Sequence, residues 1–225
     1  MNWEAFRLSI RLASFTAILL LLIGIPLAYW IVTSRWRWKF LVEAVVALPI
    51  ILPPTVLGFY LLVAFGPRSP LGSFYEAIFG TTLPFTFGGL LIASILYSLP
   101  FAVQPLATAF SAVNPRLVQN SWVLGESRGR TFLRIVLPLS RNGILTAFIL
   151  SFAHTLGEFG VVLMVGGSIP GATRTLSIDL YDQVQALNHR AAAETALVLL
   201  VLSFLFLSVV SYLNRKRGAV GGFDR

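Results

Sequence analysis

Five apolar runs dominate this chain, at about 9–33, 40–66, 86–112, 137–166 and 191–213. A helix needs roughly 20 mainly apolar residues to cross a bilayer. Lipid offers the backbone no hydrogen-bond partners, so a chain with such runs must satisfy its peptide groups internally, as helices. The pattern predicts an all-α integral membrane protein with five transmembrane helices in a single domain over 1–225. With 56% hydrophobic residues, 12% charged ones and a mean hydropathy of +0.82, the chain has too little polar surface for a soluble fold of this size. The first run is too long for a signal-peptide core. It ends at Trp30 and "TSRWRWK" rather than at small residues, and therefore reads as a retained span.

Prolines interrupt two runs: Pro49, Pro53 and Pro54 in the second, Pro100 and Pro105 in the third. Interior prolines remove ladder hydrogen bonds and kink helices, which a membrane tolerates where neighbours or water take up the freed carbonyls. The expectation is a kinked bundle lining a path, with incidental kinks as the alternative. Basic residues cluster at Arg35, Arg37 and Lys39, at Arg116, Arg128, Arg130 and Arg134, and at Arg215, Lys216 and Arg217. With five spans all three clusters share one face, which the positive-inside bias makes cytoplasmic. The amino terminus then lies outside and the carboxyl terminus inside, against the weaker vote of Arg7 and Arg11. The location is a bacterial or archaeal cytoplasmic membrane, with lipid as one partner. The tail from Gly218 is expected to be disordered.

The sequence also excludes chemistry. It has no cysteine. Its only lysines, Lys39 and Lys216, follow Trp38 and Arg215, so the Gly-Lys-Ser/Thr of a phosphate-binding loop cannot form. His154 and His189 lack metal-ligand spacing. The chain is expected to be no enzyme, to hold no cofactor or metal, and to bind no nucleic acid. If its transport is ATP-driven, ATP-Mg sits on a separate ATPase subunit.

Between the third and fourth runs lies a polar segment, about 114–136. Asn114 and Pro115 are a good cap and first residue for a helix. Gly125 can take the left-handed conformation that ends it, and Ser127 can cap a second helix running toward Ile135. A helix pair of this kind suits a groove on a soluble partner and can carry a rigid push into the membrane. An ordinary interfacial loop is the alternative.

Gly125 followed by Ile135, Leu137 and Pro138 resembles the "G, nine residues, I-x-L-P" half of the EAA loop of ABC importer permeases. That resemblance implies a type I ABC importer permease (MetI-like) fold with a coupling helix pair that docks on the ATPase through Gln119, Asn120, Ser121, Gly125, Arg128, Ile135, Leu137 and Pro138. Where the family has Glu-Ala-Ala, this chain has Gln119, Asn120 and Ser121, so docking would rest on shape and on Gln119 hydrogen bonds. "LPIILPPTVLGFYLLV" and "LGEFGVVLMVGGSIPGATRTLS" are similar to the permeases of molybdate importers over nearly the whole chain. "LGEFG" is shared with sulfate and tungstate permeases.

Within the fourth run His154 and Glu158 are four apart, hence expected on one helix face. A carboxylate is a poor ligand for an oxyanion in low dielectric. Glu158 therefore reads as a gate or packing group bonded to freed backbone or to His154, or as a charge near the interface. His154 reads as a helix-packing histidine. The break at Pro53 and Pro54 and other helix N-termini are candidate sources of N–H groups for an anion path. Gln104 is a further lining candidate, with an interhelical hydrogen bond as its alternative. Leu176, Leu180, Val184 and Leu187 predict an amphipathic helix resting on the bundle near the outer surface. The preceding "GGSIPGATR" loop, with Ser168, Pro170, Thr173 and Arg174, is a candidate docking surface for an extracytoplasmic molybdate-binding protein, or a plain connection.

The functional expectation is a homodimeric permease with two ATPase subunits, importing molybdate by alternating access. Tungstate, sulfate or thiosulfate are the alternative cargoes. An ATPase-independent carrier or channel, or a scaffold, are the alternatives from other classes.

Overall fold

The computed structural model describes residues 2–220, whose regular elements are all helices with no strand among them. In chain order the helices are α1 (Trp3–Thr33), α2 (Lys39–Ile51), α3 (Pro54–Phe65), α4 (Pro70–Phe79), α5 (Phe87–Ser111) and α6 (Pro115–Val123). There follow α7 (Arg128–Thr131), a π-helical turn (Phe132–Val136), α8 (Leu137–Leu139), α9 (Arg141–Gly157), α10 (Gly160–Gly166), α11 (Leu176–Gln185) and α12 (His189–Val220). The residues after Val220, and with them most of the tail expected to be disordered, lie outside those described.

Three of these, α1, α5 and α12, are individually long and apolar enough to cross a membrane; the count rises to five if each of two bent pairs is one span. The first pair is α2 and α3, which turn by 112° at Leu52–Pro53. Both facts follow from the sequence: Pro53 and Pro54 cannot donate to the ladder, and Pro54 is well placed as the first residue of a new helix. The second pair is Arg128–Leu139 with α9, bent by 71° at Ser140.

Two of the runs are broken differently from the sequence reading. The run 137–166 is not one helix: it turns at Ser140 and breaks again at Glu158–Phe159, where Glu158 is extended (φ −65°, ψ 133°). Conversely, Pro100 and Pro105 do not interrupt α5, which runs unbroken for 25 residues. The packing of α5 between α1 and α9 holds the helix together where two ladder bonds are missing.

The core is the α1–α5–α9 triplet. Lipid chains are as apolar as leucine, so membrane helices associate by close approach rather than by hydrophobic expulsion. Small residues supply that approach here: Ala13, Ala17, Ala28, Ala93, Ala102 and Ala147 are all fully buried. A Cβ placed on Gly143 of α9 would lie 2.2 Å from the Cβ of Ala109 on α5, so no larger residue fits at that crossing. At one end of the bundle Leu12 packs with Leu90, Val162 and Ile178; at the other, Tyr29 packs against Phe110 and Phe132. The amino-terminal end of α1 thus sits opposite the polar segment 114–136.

Candidate functional site

The polar segment forms a helix pair. Asn114 Oδ1 accepts from Arg116 N at 2.9 Å, opening α6, and Ser127 Oγ accepts from Arg130 N at 3.4 Å, opening α7. Between them Gly125 stands at φ +84°, in the left-handed region that side chains disfavour. Gly125 N donates to Trp122 O and Glu126 N to Ser121 O, both at 3.0 Å, which together satisfy the orphan carbonyls of a helix end in the Schellman pattern. Glu126 then reaches across to Arg134 at 3.0 Å and Arg130 at 3.5 Å. The tip of the pair is apolar and bare: Val123 is 86% and Leu124 83% exposed. Trp122, with the Arg128 guanidinium 5.9 Å from its ring centre, flanks that tip.

The candidate coupling residues do not all face outward. Gln119, Asn120, Gly125, Arg128 and Pro138 are exposed, and Ile135 and Leu137 are half-buried. Ser121 is buried: its Oγ donates to Val118 O at 2.9 Å and lies 2.7 Å from Thr131 Oγ1. Ser121 therefore ties α6 to α7 from within the helix pair.

Phe132 went unnoticed in the sequence. From the π turn it packs against Tyr29 of α1 at 4.5 Å and Phe110 of α5 at 5.9 Å between ring centres, in the same apolar cluster as Val136 and Val113. The helix pair is thus bolted to two core helices rather than hanging from loops. The signal for this was one more aromatic in a chain with 18 phenylalanines, and no local pattern distinguishes it.

Inside the bundle, the two helix breaks meet. A Cβ on Gly160, the first residue of α10, would lie 2.6 Å from the Cβ of Pro54, the first residue of α3. The N–H groups expected from these breaks are mostly taken. Pro53 and Pro54 have none, and Pro53 O accepts from both Val56 N and Leu57 N. The α10 terminus is closed by Glu158, whose Oε1 accepts from Val161 N at 2.9 Å while its backbone oxygen accepts from Ser177 Oγ. The protein's own carboxyl group already occupies that helix end.

Because α9 stops at Gly157, His154 and Glu158 do not share a helix face, contrary to their spacing. His154 Nδ1 lies 2.9 Å from Ser98 Oγ, which is 3.0 Å from Thr155 Oγ1, and its ring stacks on Phe101 at 3.9 Å. It joins α9 to α5. Gln104 is exposed on α5 and borders a cavity of about 750 Å³ between α1, α2 and α5.

At the opposite end, the loop 167–175 is braced from within. Thr173 is fully buried; its Oγ1 donates to Gly166 O at 2.7 Å and accepts from Ile169 N at 3.1 Å. Unlike Pro170, it lies beneath the loop surface rather than on it. Ser168 donates to Asp182 at 2.6 Å and receives Arg174 Nε at 2.9 Å, and Arg174 pairs with Asp182 at 3.4 Å. Pro170 remains exposed at the tip. The helix that follows, α11, does not rest on a Leu176–Leu180–Val184–Leu187 stripe. It buries its whole first turn, Leu176 to Asp179, while Val184 and Leu187 are exposed. Leu176 N donates to Ser9 Oγ at 2.7 Å and Asn2 Nδ2 to Asp179 Oδ1 at 2.9 Å, pinning that turn to α1.

Residues 20–218 match the model of one family, described as "Binding-protein-dependent transport system inner membrane component". The chain belongs to that family. This permease is 50% identical over 212 residues to the "Molybdenum transport system permease protein ModB" of Azotobacter vinelandii, covering 94% of the chain and 93% of the relative. It is 34% identical over 215 residues to the protein of the same name in Escherichia coli K12, covering 95% and 94%. Among solved structures it superposes with a TM-score of 0.74 on a chain of a bacterial alginate ABC transporter, crystallised with an alginate pentasaccharide-bound periplasmic protein. That likeness covers 95% of the permease and 78% of that chain at 17% identity, and shows a shared fold. The protein is the transmembrane permease of an ABC importer, a translocation subunit whose energy comes from ATP hydrolysed on a separate subunit.

Proposed function

We propose that the permease works as a homodimer that imports molybdate, with two ATPase subunits on the 114–136 side and an extracytoplasmic molybdate-binding protein on the side of the 167–175 loop. The helix pair carries the reading: α6 and α7 present a bare apolar tip while Phe132 anchors them on α1 and α5. A push on Val123 and Leu124 reaches the core helices through the packed rings of Phe132, Tyr29 and Phe110. Closure of the ATPase pair would bring the two coupling segments together and turn the path outward. The names of the relatives support molybdate as cargo.

The face bearing segment 114–136 is taken as cytoplasmic, since Arg116, Arg128, Arg130 and Arg134 lie there. The amino terminus and α11 then face outside. A two-fold pair gives a central path lined twice by the same surface. In that path the contact of Pro54 with Gly160, next to Glu158, acts as the gate, because it joins the two broken helices at one point.

Cargo identity is tested by uptake of labelled molybdate into proteoliposomes holding the permease, its ATPase and the binding protein, with excess tungstate or sulfate. Molybdate import that yields to tungstate and resists sulfate is expected. Suppression by a modest excess of sulfate would assign the permease to sulfate instead.

A further inference from the structure

The inner half of α5 carries a polar stripe. Gln104, Thr108 and Ser111 follow one another at four and three residues and are all exposed, whereas the outer half of the same helix exposes Ile92 and Leu96. Polar side chains on a membrane helix face a partner or an aqueous space, because lipid cannot satisfy them. Here the space is visible: all three line the cavity of about 750 Å³ between α1, α2 and α5. The Gln104 amide and the Ser111 hydroxyl make no hydrogen bond to any described residue, and Thr108 Oγ1 donates to Gln104 O at 2.9 Å.

Two charges border the same cavity, Lys39 and Glu43, one helical turn apart on α2. Lys39 Nζ donates to Ile31 O at 3.3 Å, near the carboxyl end of α1, and Glu43 forms no ion pair with a described residue. Opposite charges one turn apart leave little net field, so the chamber is no trap for a dianion. Neutral amide and hydroxyl donors can still replace part of a tetrahedral oxyanion's hydration. A path must bind its cargo well enough to admit it and weakly enough to release it.

We propose that this cavity is the inner vestibule of the transport path, an aqueous chamber in which Gln104, Thr108 and Ser111 hold the oxyanion in passing between the balancing charges of Lys39 and Glu43. The proposal rests on the reading of the chain as an oxyanion permease. It adds four residues, Lys39, Glu43, Thr108 and Ser111, that neither the sequence pattern nor the gate requires.

The chain has no cysteine, so single cysteines can be read without background. Thr108→Cys and Ser111→Cys are close in size to the native residues and preserve the fold. Each is assembled with its ATPase in inside-out vesicles and exposed to an anionic or a cationic methanethiosulfonate, with Ile92→Cys on the outer half of α5 as apolar control and Arg37→Cys in the exposed turn between α1 and α2 as exposed control. Both vestibule cysteines should be modified, Ile92→Cys should not, and millimolar molybdate should slow the anionic reagent. Adding Glu43→Gln should raise the anionic-to-cationic rate ratio by about fourfold, and Lys39→Gln should lower it similarly. That factor is what removing one charge ~10 Å away does to two reagents differing by two charges in a water-like medium. The proposal is overturned if Arg37→Cys reacts while positions 108 and 111 stay silent, or if neither charge change moves the ratio. Uptake by the same variants separates the two levels. Silent cysteines with intact ATP-dependent uptake sink the vestibule alone, whereas no uptake by the unmodified chain sinks the permease reading beneath it.

Discussion

Gly125 gives the sharpest test of the coupling segment because its role is conformational and nothing else. The residue sits at φ +84°, and an added Cβ would meet no atom within 4 Å. A substitution there changes no packing, so its effect comes from backbone preference alone. Placing an L-residue in the left-handed region costs about 1–2 kcal/mol, which is a factor of roughly 5–30 in the population of the bent segment. Gly125→Ala should therefore weaken ATPase binding by about that factor and lower ATP hydrolysis stimulated by the loaded binding protein. Gly125→Asn should fall between, since asparagine tolerates this conformation. Gly125→Pro should be worst. Proline fixes φ near −65° and lacks the N–H that donates to Trp122 O at 3.0 Å. The assay is paired: affinity of the detergent-solubilised permease for its ATPase, and thermal unfolding of the permease alone. Unfolding of the permease alone should shift by no more than that same cost of about 1–2 kcal/mol, because an added Cβ meets no neighbouring atom. If alanine and proline both coupled as well as glycine, the helix–elbow–helix account of this segment would be refuted.

Other substitutions probe the remaining links. Phe132→Ala removes the ring that bridges Tyr29 and Phe110; half-buried, it should cost ~2 kcal/mol, with ATPase affinity retained and molybdate moved per ATP reduced. Gly160→Ala forces a Cβ to within 2.6 Å of Pro54 Cβ, and overpacking of this sort costs about 1–3 kcal/mol. Its melting temperature should drop and its uptake should fall more than that drop explains. Thr173→Val keeps the shape but strands Ile169 N and Gly166 O, a loss of about 1–3 kcal/mol visible in thermal unfolding, whereas Pro170→Ala at the exposed tip should leave stability alone.

The helix pair over 114–136 was legible because its signals are local. Asn114–Pro115, Gly125 and Ser127 each act on the next few peptide units, and the structure uses them as cap, elbow and cap. The break between α2 and α3 was legible for the same reason, in two adjacent prolines. Pro100 and Pro105 are isolated prolines and yield an unbroken helix, since flanking α1 and α9 outweigh two lost hydrogen bonds. The break at Glu158 has no proline to announce it. Its marks are the glycines on either side, Gly157 and Gly160, and the second earns its place through a contact with Pro54 from a distant part of the chain. Long-range contacts of this kind also hid Ser121, Phe132 and Thr173. Each looks like an ordinary surface or apolar residue until the neighbour that it touches is known.

The most direct test of the central claim is ATP-dependent uptake of labelled molybdate by proteoliposomes containing the permease and the loaded binding protein, with the ATPase present or withheld. The account predicts uptake only when the ATPase is present, and its loss with Gly125→Pro. Uptake that proceeds equally well without the ATPase would contradict it.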